Sequence, residues 1–275
     1  MSETRRAEAA ARRYYRLLRA RGRAAATLTA VTDGVALGLL DRAALAEVDR
    51  LFYDRTREPL PDGGEADYAD DAWNGQGLFA WEERVADAHL PAGARVLVTG
   101  AGGGREVLGL RRRGLDAVGY EPHPGLRAAG ARLLAAEGHP GTLRAVARDA
   151  FPDDPGPYDA VVVGWGSYML VPGRARRTAF LRRARAVVPD GAPLLLSFWP
   201  RSQVPARPRV THAVAGALRR ARGAEPVELG DLLAPNFVHA FTRPEVEAEL
   251  SASGWALLDY RERPVGHAVG RAGRA

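Results

Sequence analysis

Four glycines in five positions, Gly100, Gly102, Gly103 and Gly104, follow the apolar run Arg95-Val96-Leu97-Val98-Thr99 and lead into a helix-prone stretch that opens with Arg105-Glu106. A buried strand that passes through a glycine turn into a helix lets the backbone approach a ligand closely and leaves free amide groups at the positive end of the helix. The segment therefore predicts a site for a nucleotide-type cofactor. An ordinary tight turn seldom needs so many glycines. The dinucleotide fingerprint G-x-G-x-x-G would require a further glycine at 105 or 107, where Arg105 and Val107 stand, so a nicotinamide or flavin dinucleotide is disfavoured. The chain contains no cysteine, which excludes thiolate nucleophiles, thiolate zinc sites and disulfides. No compact set of His, Asp and Glu shows ligand spacing, so no metal is expected.

The spacing that does stand, G-x-G-x-G from Gly100 through Ala101, Gly102 and Gly103 to Gly104, resembles the first motif of class I S-adenosylmethionine-dependent methyltransferases. The resemblance covers roughly Ala94 to the C-terminus. It implies that Glu121, ending the second strand about twenty residues after the first glycine, accepts hydrogen bonds from both ribose hydroxyls, with Pro122 beside it. It also implies that Asp149, in Ala147-Arg148-Asp149-Ala150, meets the adenine amino group. The run from Tyr158 to Trp165 matches the family's fourth-strand motif, after which the chain faces the transferred methyl, and Val188-Pro189-Asp190-Gly191 matches the connection to the fifth strand. The implied cofactor is S-adenosylmethionine, held by Gly100, Ala101, Gly102, Gly104, Glu121, Pro122, Asp149, Ala150 and Trp165. One position departs from the pattern: Val98 stands where the family has an acid, and Glu106, in the positive first turn of the next helix, is the substitute.

The activity the resemblance implies is methyl transfer to an oxygen or nitrogen of a small-molecule acceptor. A sulfonium methyl is already a strong electrophile, so alignment and exclusion of water can suffice. For a hydroxyl acceptor the candidate bases are Tyr168, after the fourth strand, and His239. Trp73, Asn74, Phe79, Trp81 and Glu82, ahead of the first strand, are candidate walls of the donor or acceptor site, with simple packing between cap and core as the other reading. The fourth-strand exit reads Gly164-Trp165-Gly166-Ser167 and not the Asn-Pro-Pro-Tyr type expected for amino methylation of bases or glutamine. An RNA acceptor and a non-catalytic methyltransferase-like partner subunit stand as alternatives.

The elements that must position these residues show in the periodicity. From Ala94 short apolar runs alternate with helical stretches, with strands expected at Arg95 to Thr99, Ala117 to Glu121, Leu143 to Ala147, Ala160 to Gly164 and Pro193 to Trp199. Helices are expected at Arg105 to Arg113, Pro124 to Glu137 and Arg174 to Val187. Runs such as Val161-Val162-Val163, buried on both faces, predict a doubly wound, mostly parallel α/β sheet, of seven strands in the resembled family. Thr242 and Glu245 form a capping box for a late helix, between last strands read at Phe237 to Phe241 and Trp255 to Tyr260. Residues 1–90 read as a helical cap, with a loop from Glu58 to Gly64. Residues 91–275 read as the cofactor-binding domain, and its insertion 201–235, with a basic helix from Val210 to Arg220, joins the cap as a substrate lid.

Hydrophobic content of 46% and charge of 26% are those of a globular protein, and no apolar run approaches a membrane span. Arginines scattered through the first twenty-odd residues leave no apolar segment of a secretory signal, so a cytoplasmic enzyme, monomer or homodimer, is expected. The net charge of +6 and pI near 10.1 come from arginine alone, with no lysine and no basic block with interleaved aromatics. The excess reads as solvated surface in preference to a nucleic-acid interface.

Overall fold

The computed structural model describes residues 3–54, 68–153, 156–204 and 208–274, so the loop expected from Glu58 to Gly64 lies outside the described residues. The helices and strands follow in the order α1 (Glu3–Leu39), α2 (Arg42–Asp54), α3 (Asp71–Gly75), α4 (Ala80–His89), β1 (Arg95–Thr99), α5 (Arg105–Arg112), β2 (Asp116–Glu121), α6 (Pro124–Ala136), β3 (Leu143–Ala145) and β4 (Ala160–Val163). After these come α7 (Arg174–Ala186), β5 (Pro193–Phe198), α8 (Pro208–Ala221), β6 (Asp231–Leu233), β7 (Phe237–His239), α9 (Arg243–Ser251), β8 (Trp255–Arg261) and β9 (Gly266–Ala272). The chain forms two compact units, Met1–Asp41 with Pro205–Leu233, and Arg42–Val204 with Ala234–Ala275. This division departs from the boundary expected at residue 90: α2, α3 and α4 belong to the larger unit, and most of the 201–235 insertion is the second half of the smaller one.

The smaller unit is built on the pairing of α1 with α8. Two glycines one turn apart on α1 allow the close approach: a Cβ on Gly34 would stand 2.8 Å from the Cβ of Val214, and one on Gly38 would stand 2.9 Å from that of Leu218. Ala30, Leu37 and Ala215 are buried at this contact. Thr211 Oγ1 donates to the Ala30 carbonyl at 3.1 Å, and Arg219 donates to the Leu37 and Leu40 carbonyls at 2.9 and 2.7 Å. Arg219 thereby satisfies carbonyls that the end of α1 leaves open, where the helix dipole also favours a cation.

The larger unit holds a seven-stranded sheet in the order β3-β2-β1-β4-β5-β9-β8. The first five strands in that order are parallel, while β9 runs antiparallel to β5 and β8 antiparallel to β9. The parallel strands are apolar because helices cover both faces, and Val96, Val98, Val107, Leu110, Leu134 and Val162 share one core cluster. Val96 pairs with Ala117 of β2 on one side and Ala160 of β4 on the other. Successive crossovers therefore diverge at β1, and a crevice opens beyond the carboxyl ends of β1 and β4.

The order of the final strands corrects the sequence expectation. Phe237–His239 lies outside the seven-stranded sheet, and the strands that complete it are Trp255–Arg261 and Gly266–Ala272. The latter reads poorly as a strand because of its glycines, yet they are what its place between β5 and β8 requires. A Cβ on Gly266 would stand 2.7 Å from the Pro200 ring, and one on Gly270 only 3.3 Å from Leu250. The third strand is also shorter than expected, because the chain turns at Ala147, whose carbonyl accepts from the Ala150 amide at 3.2 Å.

Candidate functional site

The glycine loop is shaped by what packs beneath it. Gly100, Gly102 and Gly104 have φ of 59°, 54° and 86°, a region that side chains rarely adopt. Ser167 Oγ donates to the Gly100 carbonyl at 3.0 Å, and a Cβ on Gly100 would collide with that serine. On the other flank α3, capped by Asp70 accepting from the Trp73 amide, seats Asn74 against Gly103, where a Cβ would strike the amide of Asn74. Asn74 is itself fixed by donating to the carbonyls of Tyr68 and Asp70, both at 2.9 Å. At Gly102 a Cβ would meet nothing within 4 Å, so the middle of the loop faces open space.

That space is a cavity of about 500 Å³, within the range of small-molecule sites, and it lies wholly in the larger unit. Gly100, Ala101, Gly102, Glu121, Pro122, Asp149, Ala150 and Trp165 all line it. Gly104 is not part of the lining: it caps α5, and a Cβ there would meet Leu134 at 3.0 Å, so its role is packing. Among the residues expected to form a wall, Trp73 and Asn74 line the cavity. Phe79, Trp81 and Glu82 stand behind it, with Trp81 stacked on His267 at 4.6 Å.

Glu121 is 5% exposed, and its two oxygens accept from the backbone amides of Gly102 and His123, each at 2.7 Å. Burial pushes its carboxyl up to about 7, against the opposing pull of those two amides. Each carboxylate oxygen keeps a lone pair beyond the one already used, so a vicinal diol placed in the cavity could donate to both. This geometry fits the ribose of S-adenosylmethionine. Asp149 adopts φ of 56° and lies 3.3 Å from Arg42 and 3.7 Å from Arg148, so its carboxylate reaches the cavity wall already paired. A non-glycine residue held at positive φ is a strain that the surroundings must offset.

Val98 is fully buried in the core, while its neighbour Thr99 lines the cavity, as alternation along β1 requires. The Thr99 hydroxyl is buried with no hydrogen-bond partner among the described residues. Glu106 also lines the cavity, accepting from the Trp165 amide at 2.7 Å and from Arg105 at 2.8 Å. Arg105 is 3% exposed, forks onto Glu82 at 2.6 and 2.7 Å, and stacks 3.8 Å over the Phe79 ring. Burial pushes the Glu82 carboxyl up despite this pairing.

No family model and no curated protein sequence matches the chain. Solved structures do match. A 1,6-didemethyltoxoflavin-N1-methyltransferase from Burkholderia thailandensis, with 1,6-didemethyltoxoflavin and S-adenosylhomocysteine bound, is 18% identical; the match covers 86% of this chain and 92% of that one, with a TM-score of 0.57. An S-adenosylmethionine-dependent methyltransferase from Methanosarcina mazei is 16% identical over 72% of this chain and 100% of its own, with a TM-score of 0.56. A sugar N-methyltransferase from a Streptoalloteichus species is 18% identical over 82% and 92%, with a TM-score of 0.53. The fold is that of S-adenosylmethionine-dependent methyltransferases.

On this methyltransferase fold one of the two candidate bases borders the cavity and the other does not. Tyr168 borders the cavity, but it is 1% exposed and its hydroxyl donates to Glu249 at 2.5 Å. Arg177 clamps the same carboxylate at 2.7 and 3.0 Å, and burial together with Glu249 pushes the Tyr168 hydroxyl well above its ordinary range. A phenol so held is a poor proton acceptor at neutral pH. His239 is 1% exposed and absent from the cavity wall, which takes Asn236 and Val238 from the same stretch.

Sequence reading missed the contribution of α2. Asp49, buried on a helix whose other faces are mostly exposed, accepts from Asn236 at 2.5 Å and bonds Arg148, and it lines the cavity together with Tyr53. The available signal was an acid set among Leu45, Val48 and Phe52. An acid so placed has to find a buried partner.

Proposed function

We propose that the chain is a methyltransferase that uses S-adenosylmethionine to methylate an oxygen or nitrogen of a small-molecule acceptor. The observation that carries this reading is the Glu121 carboxylate, held against the Gly102 amide on the wall of a cavity into which the loop opens. The cofactor, when bound, supplies a sulfonium-activated methyl group. Glu121 orients the sugar, and Pro122, Asp149 and Ala150 flank the base. The unpartnered hydroxyl of Thr99 and the carboxylate of Glu106 offer polar contacts where the family's acid is replaced by Val98. Tyr68, Trp73 and Trp165 form an aromatic wall, with ring centroids 6.1 to 6.4 Å apart, that excludes water from the reacting atoms. Rate enhancement then comes from alignment and dehydration, with Tyr168 and His239 as supports of the site in preference to proton carriers. The related folds from Burkholderia and Streptoalloteichus are methyltransferases of small molecules, 1,6-didemethyltoxoflavin and a sugar, which favours an acceptor of that size here.

Calorimetric titration with S-adenosylhomocysteine tests the reading. Binding in the micromolar range, typical of cofactors, is expected. Gly102→Arg, which places a long side chain in the open space of the loop at a positive φ, should abolish it. Absence of heat with both S-adenosylmethionine and S-adenosylhomocysteine in the unaltered protein would remove the basis of the assignment.

A further inference from the structure

The charges around the cavity define the chemical class of the acceptor, an inference that rests on the donor assignment above. Beyond the ends of β1, β2 and β3 the cavity continues past β4 and β5, where Leu170, Val171, Phe180, Trp199 and Val238 supply an apolar wall. Three arginines line the whole cavity, and each is already bonded to carboxylate. Arg50 meets Glu47 at 2.5 Å and also bonds Asp54, Arg105 is held by Glu82 and Glu106, and Arg148 by Asp49. His123 has Nε2 3.2 Å from Asp54, while its Nδ1 accepts from the Leu126 amide.

The two backbone amides that flank Glu121 are engaged as well. The Gly102 and His123 amides, at the mouths of the two crossover helices, both donate to Glu121. Against the three arginines the lining sets five carboxylates, Glu47, Asp49, Glu106, Glu121 and Asp149, so the balance stays negative even with Glu121 protonated. A phosphate or carboxylate that brings no cation of its own, unlike the zwitterionic amino-acid end of the cofactor, would lose its water, find every cation of the described lining engaged, and face excess negative charge. A neutral ring meets no such penalty, and a protonated amine, although it too loses water, gains from the excess of carboxylates and from aromatic faces that attract a cation.

We propose that the acceptor is a neutral or amine-bearing compound with an apolar or aromatic body, and that acceptors carrying phosphate or carboxylate are rejected. The test titrates S-adenosylhomocysteine-saturated protein with 2-phenylethanol, phenethylamine and phenyl phosphate, three probes that share a ring and differ in charge. The alcohol and the amine should bind, and phenyl phosphate should bind at least about tenfold more weakly. Trp199→Ala should weaken the first two by about threefold or more while S-adenosylhomocysteine affinity stays as it was. Equal or tighter binding of phenyl phosphate overturns the proposal, as does failure of all three probes up to their solubility. The same titrations without S-adenosylhomocysteine keep the charge preference readable if that ligand fails to bind, an outcome that would count against the donor assignment alone.

Discussion

At the scale of single residues, Glu121 couples the site to pH. Its carboxyl titrates near 7 in the folded protein, above its ordinary value of 4.5, because burial disfavours the charged form. The folded state therefore holds a proton that the unfolded chain releases between those values, and stability falls as pH rises through that window, by about 3 kcal/mol in full. Ribose hydroxyls donate best to the ionised form, so S-adenosylhomocysteine should bind about tenfold more tightly at pH 8 than at pH 6, with proton release seen as a buffer-dependent heat. Glu121→Gln should flatten both dependences and weaken binding. Arg105 is the other decisive residue. Removing its guanidinium leaves Glu82 and Glu106 buried and facing each other, so Arg105→Ala should cost about 3–5 kcal/mol in urea unfolding. The sequence revealed Glu121 through its spacing from the glycine loop. It could not reveal that Glu106 and Glu82 share one arginine, because partners 23 residues apart meet only in the folded chain.

At the scale of elements, periodicity was a sound guide wherever one face of an element packs on the core, and a poor one elsewhere. β1, β2, β4, β5 and the helices between them stand within a residue or two of expectation, since each carries an apolar run or stripe that only one arrangement buries. β9 escaped because it is held by closeness of backbones, for which glycine is suited and propensity gives no signal. The helix pair α1 and α8 repeats that lesson, since the Gly34-Val35-Ala36-Leu37-Gly38 segment reads as weak helix but supplies the contact surface. Gly34→Val should press against Val214 and Thr211 and destabilise the pair by about 1–3 kcal/mol, seen as an earlier loss of helical circular dichroism on heating. Of the candidate site, the placing of Gly100, Gly102, Glu121 and Asp149 around one cavity followed from the order of motifs along the chain. The α2 contribution did not, because Asp49 reaches its partners Arg148 and Asn236 only through the fold.

At the scale of the whole molecule, the charge excess and the site are separate matters. The arginines of α1 from Arg12 to Arg23 are exposed, whereas those lining the cavity are bonded to acids, so a net charge of +6 coexists with an anionic interior. No single helix among the described residues is long and apolar enough to cross a membrane. The described side chains before Ala30 carry little buried surface, with Tyr14, Tyr15 and Leu17 each at least 60% exposed. Deleting residues 1–20 should therefore leave a monodisperse protein by size-exclusion chromatography. A chain starting at Arg42 would strip α8 of its partner and bare Ala215 and its neighbours, and should elute as aggregate. The pairing of α1 with α8 also sets an order of events at the ribosome. When α1 leaves the exit tunnel, roughly 170 residues, or about ten to thirty seconds of translation, still separate it from the helix that covers it. α1 is thus made well before the helix that covers it, and its dense coat of arginine keeps a waiting helix dispersed in water.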